Sequence, residues 1–226
     1  MKSIKFFAVA ALLAISSSVH AQFTNNSSSS ATTSSSSDGW SSVWVEYNPI
    51  NIDFNQGIDD ESISGFSLGY SKAFPITSST PIFLEAGLGL QYSTKSDFMD
   101  SDDVTFKMFS AKVPVNLIYD FAIPNSSIKI DPFVGLTLRY NISGKLSGDD
   151  DDIDLFDEDD MGKDNTFKRF QAGWQIGAKA RFNGGFTIGV AYGSDFSNIW
   201  EAKAKGSSSK AKAKVNTTTL TIGYAF

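Results

Sequence analysis

From Gly39 to the last residue, apolar side chains occupy every second position in eight separate segments. Period 2 sends successive side chains to opposite sides of an extended chain, so each segment predicts a strand with one apolar face. The first runs through Val43, Val45 and Tyr47, then through Ile50, Ile52 and Phe54. The apolar positions change parity beside Pro49, which predicts a β-bulge, because one extra residue swaps the two faces. The second carries Phe66, Leu68 and Tyr70 and runs on towards Phe74. The third carries Leu84, Ala86, Leu88, Leu90 and Tyr92, and the fourth runs at odd numbers from Phe109 to Phe121. The fifth holds Ile128, Ile130, Val134, Leu136, Leu138, Tyr140 and Ile142. The sixth holds Phe170, Ala172, Trp174, Ile176, Ala178, Ala180 and Phe182. Phe186, Ile188, Val190 and Tyr192 make the seventh, and Leu220, Ile222, Tyr224 and Phe226 the eighth. No stretch sustains a helical period.

The opposite face is small or polar. It carries Ser67, Gly69, Ser71, Gly87, Gly89, Gln91, Asn116, Gly135, Thr137, Gln171 and Gln175, and in the last strand Thr219, Thr221, Gly223 and Ala225. A soluble sandwich or lipocalin-like barrel packs its apolar faces inward. A transmembrane barrel turns them to lipid and lines a narrow interior with the polar face. Periodicity is the same in both, but the connections differ. Those after strands two, four and six are short: Pro75 to Pro81, Pro124 to Ser127, and the Asn183-Gly184-Gly185 hairpin turn. Those after strands one, three, five and seven are polar, spanning Asn55 to Ser62, Thr94 to Val104, Ser143 to Thr166 and Ser194 to Val215. Short turns at one end and long loops at the other favour the membrane form, with the loops outside the cell and both chain ends periplasmic. Aromatic residues gather at both ends. Trp40, Trp44, Phe74, Tyr119, Phe121, Phe182, Phe186, Tyr224 and Phe226 lie near the short turns; Tyr92, Phe106, Tyr140, Phe167 and Phe170 lie near the long loops. Two such girdles are what rings settling at headgroup level produce. The expected fold is all-β, an eight-stranded antiparallel up-and-down transmembrane β-barrel.

Residues 1–21 read as a signal peptide and stand outside that fold. Lys2 and Lys5 precede the apolar run Phe6 to Ile15, and Val19-His20-Ala21 places the cut before Gln22. The run is too short to span a bilayer as a helix, which needs about 20 apolar residues. Residues 22–38 are mostly Ser, Thr and Asn and read as a disordered spacer. The outer-membrane barrel is assigned to 39–226. Without residues 1–21 the chain keeps 17 Lys and Arg against 25 Asp and Glu, a formal charge of −8, which gives nucleic acid no basic face. With no cysteine in the chain, stability must come from a core or from a closed ladder of backbone hydrogen bonds.

The terminal run Leu220-Thr221-Ile222-Gly223-Tyr224-Ala225-Phe226 resembles the assembly signal of outer-membrane barrels, which alternates apolar residues and ends in Phe. With the signal peptide, the eight strands and the short turns, residues 39–226 resemble a small OmpA/OmpX-like barrel of the porin-like outer-membrane β-barrel family common in Bacteroidetes-type bacteria. The resemblance implies the outer membrane of a Gram-negative cell and recognition of Leu220, Ile222, Tyr224 and Phe226 by the barrel-assembly machinery. It implies no single activity.

The candidates for chemistry are few. His20 is the only histidine, so the mature chain lacks His and Cys, which removes Ser-His-Asp and Cys-His catalysis and the usual zinc sites. No enzyme activity and no cofactor are expected. The run Asp149 to Asp164 holds Asp149, Asp151, Asp154, Asp157 and Asp159, oxygen ligands of the kind calcium takes. Its spacing is not that of an EF-hand, and the plainer reading is a solvated charge run. The next loop is basic, with Lys203, Lys205, Lys210, Lys212 and Lys214. Its lysines face either the acidic loop across the mouth or lipopolysaccharide phosphates. Inside, Glu46, Glu85, Lys112, Asp131, Arg139, Lys179 and Arg181 point to the lumen, where eight strands leave room only for side chains. A salt-bridged plug is the leading expectation there and a selectivity constriction the alternative. Two functions follow: a non-enzymatic barrel with a structural or surface-interaction role and charged extracellular loops, or a small porin-like channel for ions or small solutes. A secreted barrel binding an apolar ligand is a third. The expected partners are outer-membrane lipid, lipopolysaccharide and the assembly machinery, with no nucleic acid and the chain a monomer.

Overall fold

Alternating strands leave a row of unpaired backbone groups at each edge unless the sheet closes on itself. In the computed structural model, which describes residues 39–55, 60–77, 79–98, 104–148, 152–161, 167–203 and 210–226, it closes. Eight long strands form the wall: β1 (Trp40–Phe54), β2 (Glu61–Pro75), β3 (Ile82–Lys95), β4 (Thr105–Tyr119), β5 (Lys129–Ser147), β6 (Phe170–Arg181), β7 (Phe186–Asp195) and β8 (Lys210–Ala225). Each pairs antiparallel with its neighbour in sequence, and β8 returns to β1 in register from Ser42 with Ala225 to Phe54 with Ala213. Ser41 and Phe226 exchange both backbone hydrogen bonds at 2.8 Å, so closure reaches the last residue. Three short pieces, Phe121–Ala122, Asp152–Asp154 and Trp200–Lys203, pair with β5, β5 and β8. Among the described residues the only α-helix is one turn, Glu158–Met161. The expected signal peptide and spacer lie outside the described residues.

The wall is inverted relative to a soluble barrel. Val45, Leu68, Ile176, Ile222 and Phe226 are exposed on the outside, whereas Glu85, Lys112, Asn116 and Asp131 are buried inside. Leu220, Ile222 and Tyr224 face out, and Thr219 and Ala225 face in. Only lipid can cover an apolar belt that encircles the molecule, so the soluble alternative falls. The aromatic residues divide. Phe74, Tyr119, Phe121, Phe186, Tyr224 and Phe226 face out near the short turns, and Tyr92, Tyr140 and Phe170 face out near the long loops. Trp44 and Phe106 instead point into the barrel, and Trp40 lies half-buried against Phe83 with ring centroids 4.6 Å apart. Phe167 packs beneath the long loops.

The bulge expected at Pro49 is absent. β1 keeps one register with β2 from Trp40 to Ile52 and one with β8 throughout. Ile50 and Ile52 simply point inward, on the same side as Trp44 and Asn48. The same switch occurs in three other strands: Ile63 in β2, Phe106 and Met108 in β4, and Ala213 and Val215 in β8 all face in. Their outward neighbours are polar, including Asn51, Asp53, Ser62, Lys107, Lys212 and Lys214. Beyond the belt the wall therefore becomes a collar of ordinary soluble character, apolar within and polar without. A register shift does occur between β4 and β5, at Phe109/Ser110, where the extra residue lies in β5. Arg169 donates to the carbonyls of Asn141 and Ile142 there and stacks on Phe156.

Two expected loops are partly strand. β8 starts at Lys210, well before Leu220, because Lys-Ala alternation is itself a period of 2, and Trp200–Lys203 forms a hairpin with it. In the third long connection, Asp152–Asp154 folds back on β5. Leu155, wholly buried, joins Phe98 and Ile199 over the inward residues of the collar, so segments from three loops seal the mouth with one apolar cluster. At the other end the hairpin turn uses Gly184 and Gly185 with φ of +90° and +89°. A Cβ on Gly185 would also sit 2.2 Å from the Ala225 carbonyl, which only glycine tolerates.

Candidate functional site

The polar interior between the two ends holds most of the described barrel's buried charge. Nearest the short turns, Arg181 reaches Asp131 at 3.2 Å and Asp120 at 3.1 Å, and Lys129 reaches Asp120 at 2.8 Å. The Arg181 guanidinium lies over the Trp40 ring, 3.7 Å from its centroid. The next layer centres on Glu85, whose carboxylate accepts from Lys179 at 2.7 and 2.8 Å, Asn116 at 2.8 Å and Ser71 at 2.9 Å. Gln175 donates to Asn116 at 2.6 Å and extends the network across the lumen. Above it Lys112 pairs with Glu46 at 2.7 Å, and Arg139 pairs with Asp195 at 2.6 Å while its Nε donates to Gln171 at 3.0 Å. Lys95 and Glu61 form a further pair at the mouth-side end of the collar, in register with Phe106 and Ile52.

The seven lumen residues named from sequence therefore meet in one interior, in ion pairs at three levels. Three partners were missed: Asp120, Asp195 and Lys129 lie at strand ends, where the alternating pattern gives no face to read. Burying charges is costly unless each is paired and hydrogen-bonded, and multiply bonded groups such as Glu85 meet that condition. Trp44 fills the interior beside this network, with the Lys112 ammonium 5.9 Å from its ring. Small voids remain: two of about 30 Å³ meet at Gln175, Ala191 and Thr219, and one of about 20 Å³ adjoins Gln91 and Arg139 beneath the collar. Each is large enough for a water or two and far too small for a solute.

Apolar side chains interrupt the polar interior on the short-turn side, where Ala73, Phe83, Ile118 and Phe133 lie between the Arg181 level and Glu85, and the collar cluster closes the other end.

The acidic run gathers no metal-binding cluster among the described residues. Its carboxylates serve the loop itself: Asp160 accepts from the Asp154 N–H, Asp154 from the Phe156 N–H and Asp157 from the Asp159 N–H. Asp152 pairs with Lys145 at 3.1 Å, and hydrogen bonds from Ser147 and Lys145 hold its carboxyl below the ordinary aspartate range. Asp149 and Asp151 lie outside the described residues, as does Lys205. Of the fourth-loop lysines, Lys203 and Lys210 occupy opposite register positions in the hairpin, while Lys212 and Lys214 project outward from β8.

Residues 7–226 match the family model described as outer membrane protein beta-barrel domain. No curated protein matches the sequence. Among solved structures, Ail, the attachment invasion locus protein of Yersinia pestis, aligns at 17% identity and a TM-score of 0.44, over 84% of this chain and 99% of that one. Neisserial surface protein A aligns at 14% identity and a TM-score of 0.45, over 82% and 97%. The outer membrane enzyme PagL aligns at 17% identity and a TM-score of 0.44, over 79% and 98%.

Proposed function

The chain belongs to the outer membrane protein β-barrel family, and from that premise we propose that it is a closed, non-enzymatic barrel of a Gram-negative outer membrane that supports the envelope and presents a charged collar outside the cell. The observation that carries this reading is the filled lumen: ion pairs at three levels, an apolar layer on the short-turn side and the collar cluster above, with voids of only about 20–30 Å³. A channel needs a hydrated path from end to end, and a constriction needs charges left facing that path. Here the lumen charges face one another. An acid–base or nucleophilic site would need such groups beside an accessible cavity.

In this reading the short turns and the N-terminal spacer lie in the periplasm and the long loops outside. Residues 1–21 are removed on export. The assembly machinery recognises the final strand, and the folded chain is a monomer in contact with lipid and lipopolysaccharide. The test is reconstitution in lipid vesicles and planar bilayers. Folded protein should run faster on a gel before heating than after, and bilayers carrying it should show negligible conductance. Steady nanosiemens steps from the folded band would overturn the sealed-lumen reading in favour of a small channel.

A further inference from the structure

Above the apolar belt, the outward face of β8 repeats lysine at every second residue. Lys212 and Lys214 take consecutive outward positions about the inward Ala213, and the backbone ladder continues to Lys210, in register with Lys203. Like charges opposite one another, or in succession on one face, repel. Lysine and alanine are also depleted in strands, so strand formation alone does not call for this sequence. Acids do lie opposite two of the lysines, but other donors hold them. Glu201, opposite Lys212, accepts from Lys168 at 3.0 Å and from Asn198 at 3.3 Å. Asp53, opposite Lys214, accepts from Asn216 at 2.5 Å. Asp195, at the end of β7, lies within electrostatic reach of Lys214 but is bound by Arg139. Lys212 and Lys214 are exposed and form no ion pair among the described residues. By contrast Lys107 and Lys145, also outward and directly opposed, have Ser147 and Asp152 as partners.

The height of the ladder identifies its occupant. Tyr192 at the top of the belt is in register with Thr218, and Lys214 lies four residues further along β8, about 13 Å of strand. The ammonium groups of Lys214 and Lys212 thus stand at and just beyond headgroup level. They project sideways from the wall, where a membrane barrel meets its surrounding lipids, and not upward from the loop tips. We propose that Lys212 and Lys214 bind phosphate groups on the sugar headgroups of lipopolysaccharide beside the barrel. A compact ammonium with three donors suits a phosphate as a point charge. This rests on the preceding reading that the long-loop end faces outside.

The experiment uses the full-length protein, folded in neutral detergent, titrated with purified lipopolysaccharide at low and high salt. K212Q/K214Q should bind about 30-fold more weakly at low salt, equivalent to about 1 kcal/mol per lysine. K107Q/K145Q should bind like the parent, and 0.5 M salt should narrow the difference as charge screening requires. Each variant's unheated gel mobility reports whether it folded. Equal affinity of the folded K212Q/K214Q variant and the parent would overturn the assignment, as would undiminished binding of dephosphorylated lipopolysaccharide. Equally tight binding of a soluble polyphosphate without lipid would reassign the ladder to a soluble anion. Failure of the parent to insert into vesicles would instead refute the membrane reading on which the proposal rests.

Discussion

Trp44 shows how single residues shape the lumen. Its ring occupies the space that side chains at Gly69 and Gly89 would take, since a Cβ at either would lie within 2.5 Å of it. The interior is thus filled by a few large groups set against bare backbone. Glu85 is the most heavily bonded of its charges, held by Lys179, Asn116 and Ser71. Removing one member of a buried pair strands the other, and that usually costs more than deleting both. We expect Glu85→Gln to destabilise the barrel by about 3 kcal/mol, with Glu85→Gln/Lys179→Met recovering more than half of the loss. Urea unfolding in lipid vesicles reads both, and an undiminished loss in the double variant would show that Lys179 is not the group left stranded.

Strands in this molecule change character along their length. β1, β2, β4 and β8 carry apolar residues outward within the belt and inward beyond it, with the register of β1 unbroken. The long-loop segments depend on that inversion, because Leu155, Phe98 and Ile199 pack on the inward collar residues. Truncating a buried leucine leaves a cavity worth about 2–5 kcal/mol. Leu155→Ala should therefore release the third long loop without opening the barrel. Limited proteolysis of protein in vesicles checks this: faster cleavage between Ser147 and Phe170, with unheated gel mobility unchanged, is the expected result. The Asp152–Lys145 pair and the Arg169–Phe156 stack should slow that release without preventing it, since exposed contacts are individually weak.

The whole barrel depends on one non-local pairing. β1 and β8 are separated by most of the chain, and their ladder alone removes the last free edge. Phe226 completes that ladder through Ser41 while its exposed ring joins the short-turn girdle. Deleting Phe226 should reduce the heat-modifiable fraction in isolated outer membranes more than excising residues 204–209 of the fourth loop. The reverse order would show that closure does not require the terminal residue.

The sequence alone determined the eight strands, their lipid and lumen faces and the closing role of Leu220 to Phe226, because period 2 is a local geometric property that each strand carries by itself. It also contained the collar, in the parity switch of strands one and four, but one such switch has the same appearance as a bulge. Several strands switching at a common height point instead to the edge of the lipid, and height is defined only once the register is known. Which charges pair was also left to the tertiary structure. Lys112 meets Glu46 and Lys179 meets Glu85 across a lumen that closure creates, and Asp120 and Asp195 join them from strand ends where alternation stops. An ion pair depends on distance in space, and in a barrel that distance is fixed by stagger and closure rather than by spacing along the chain.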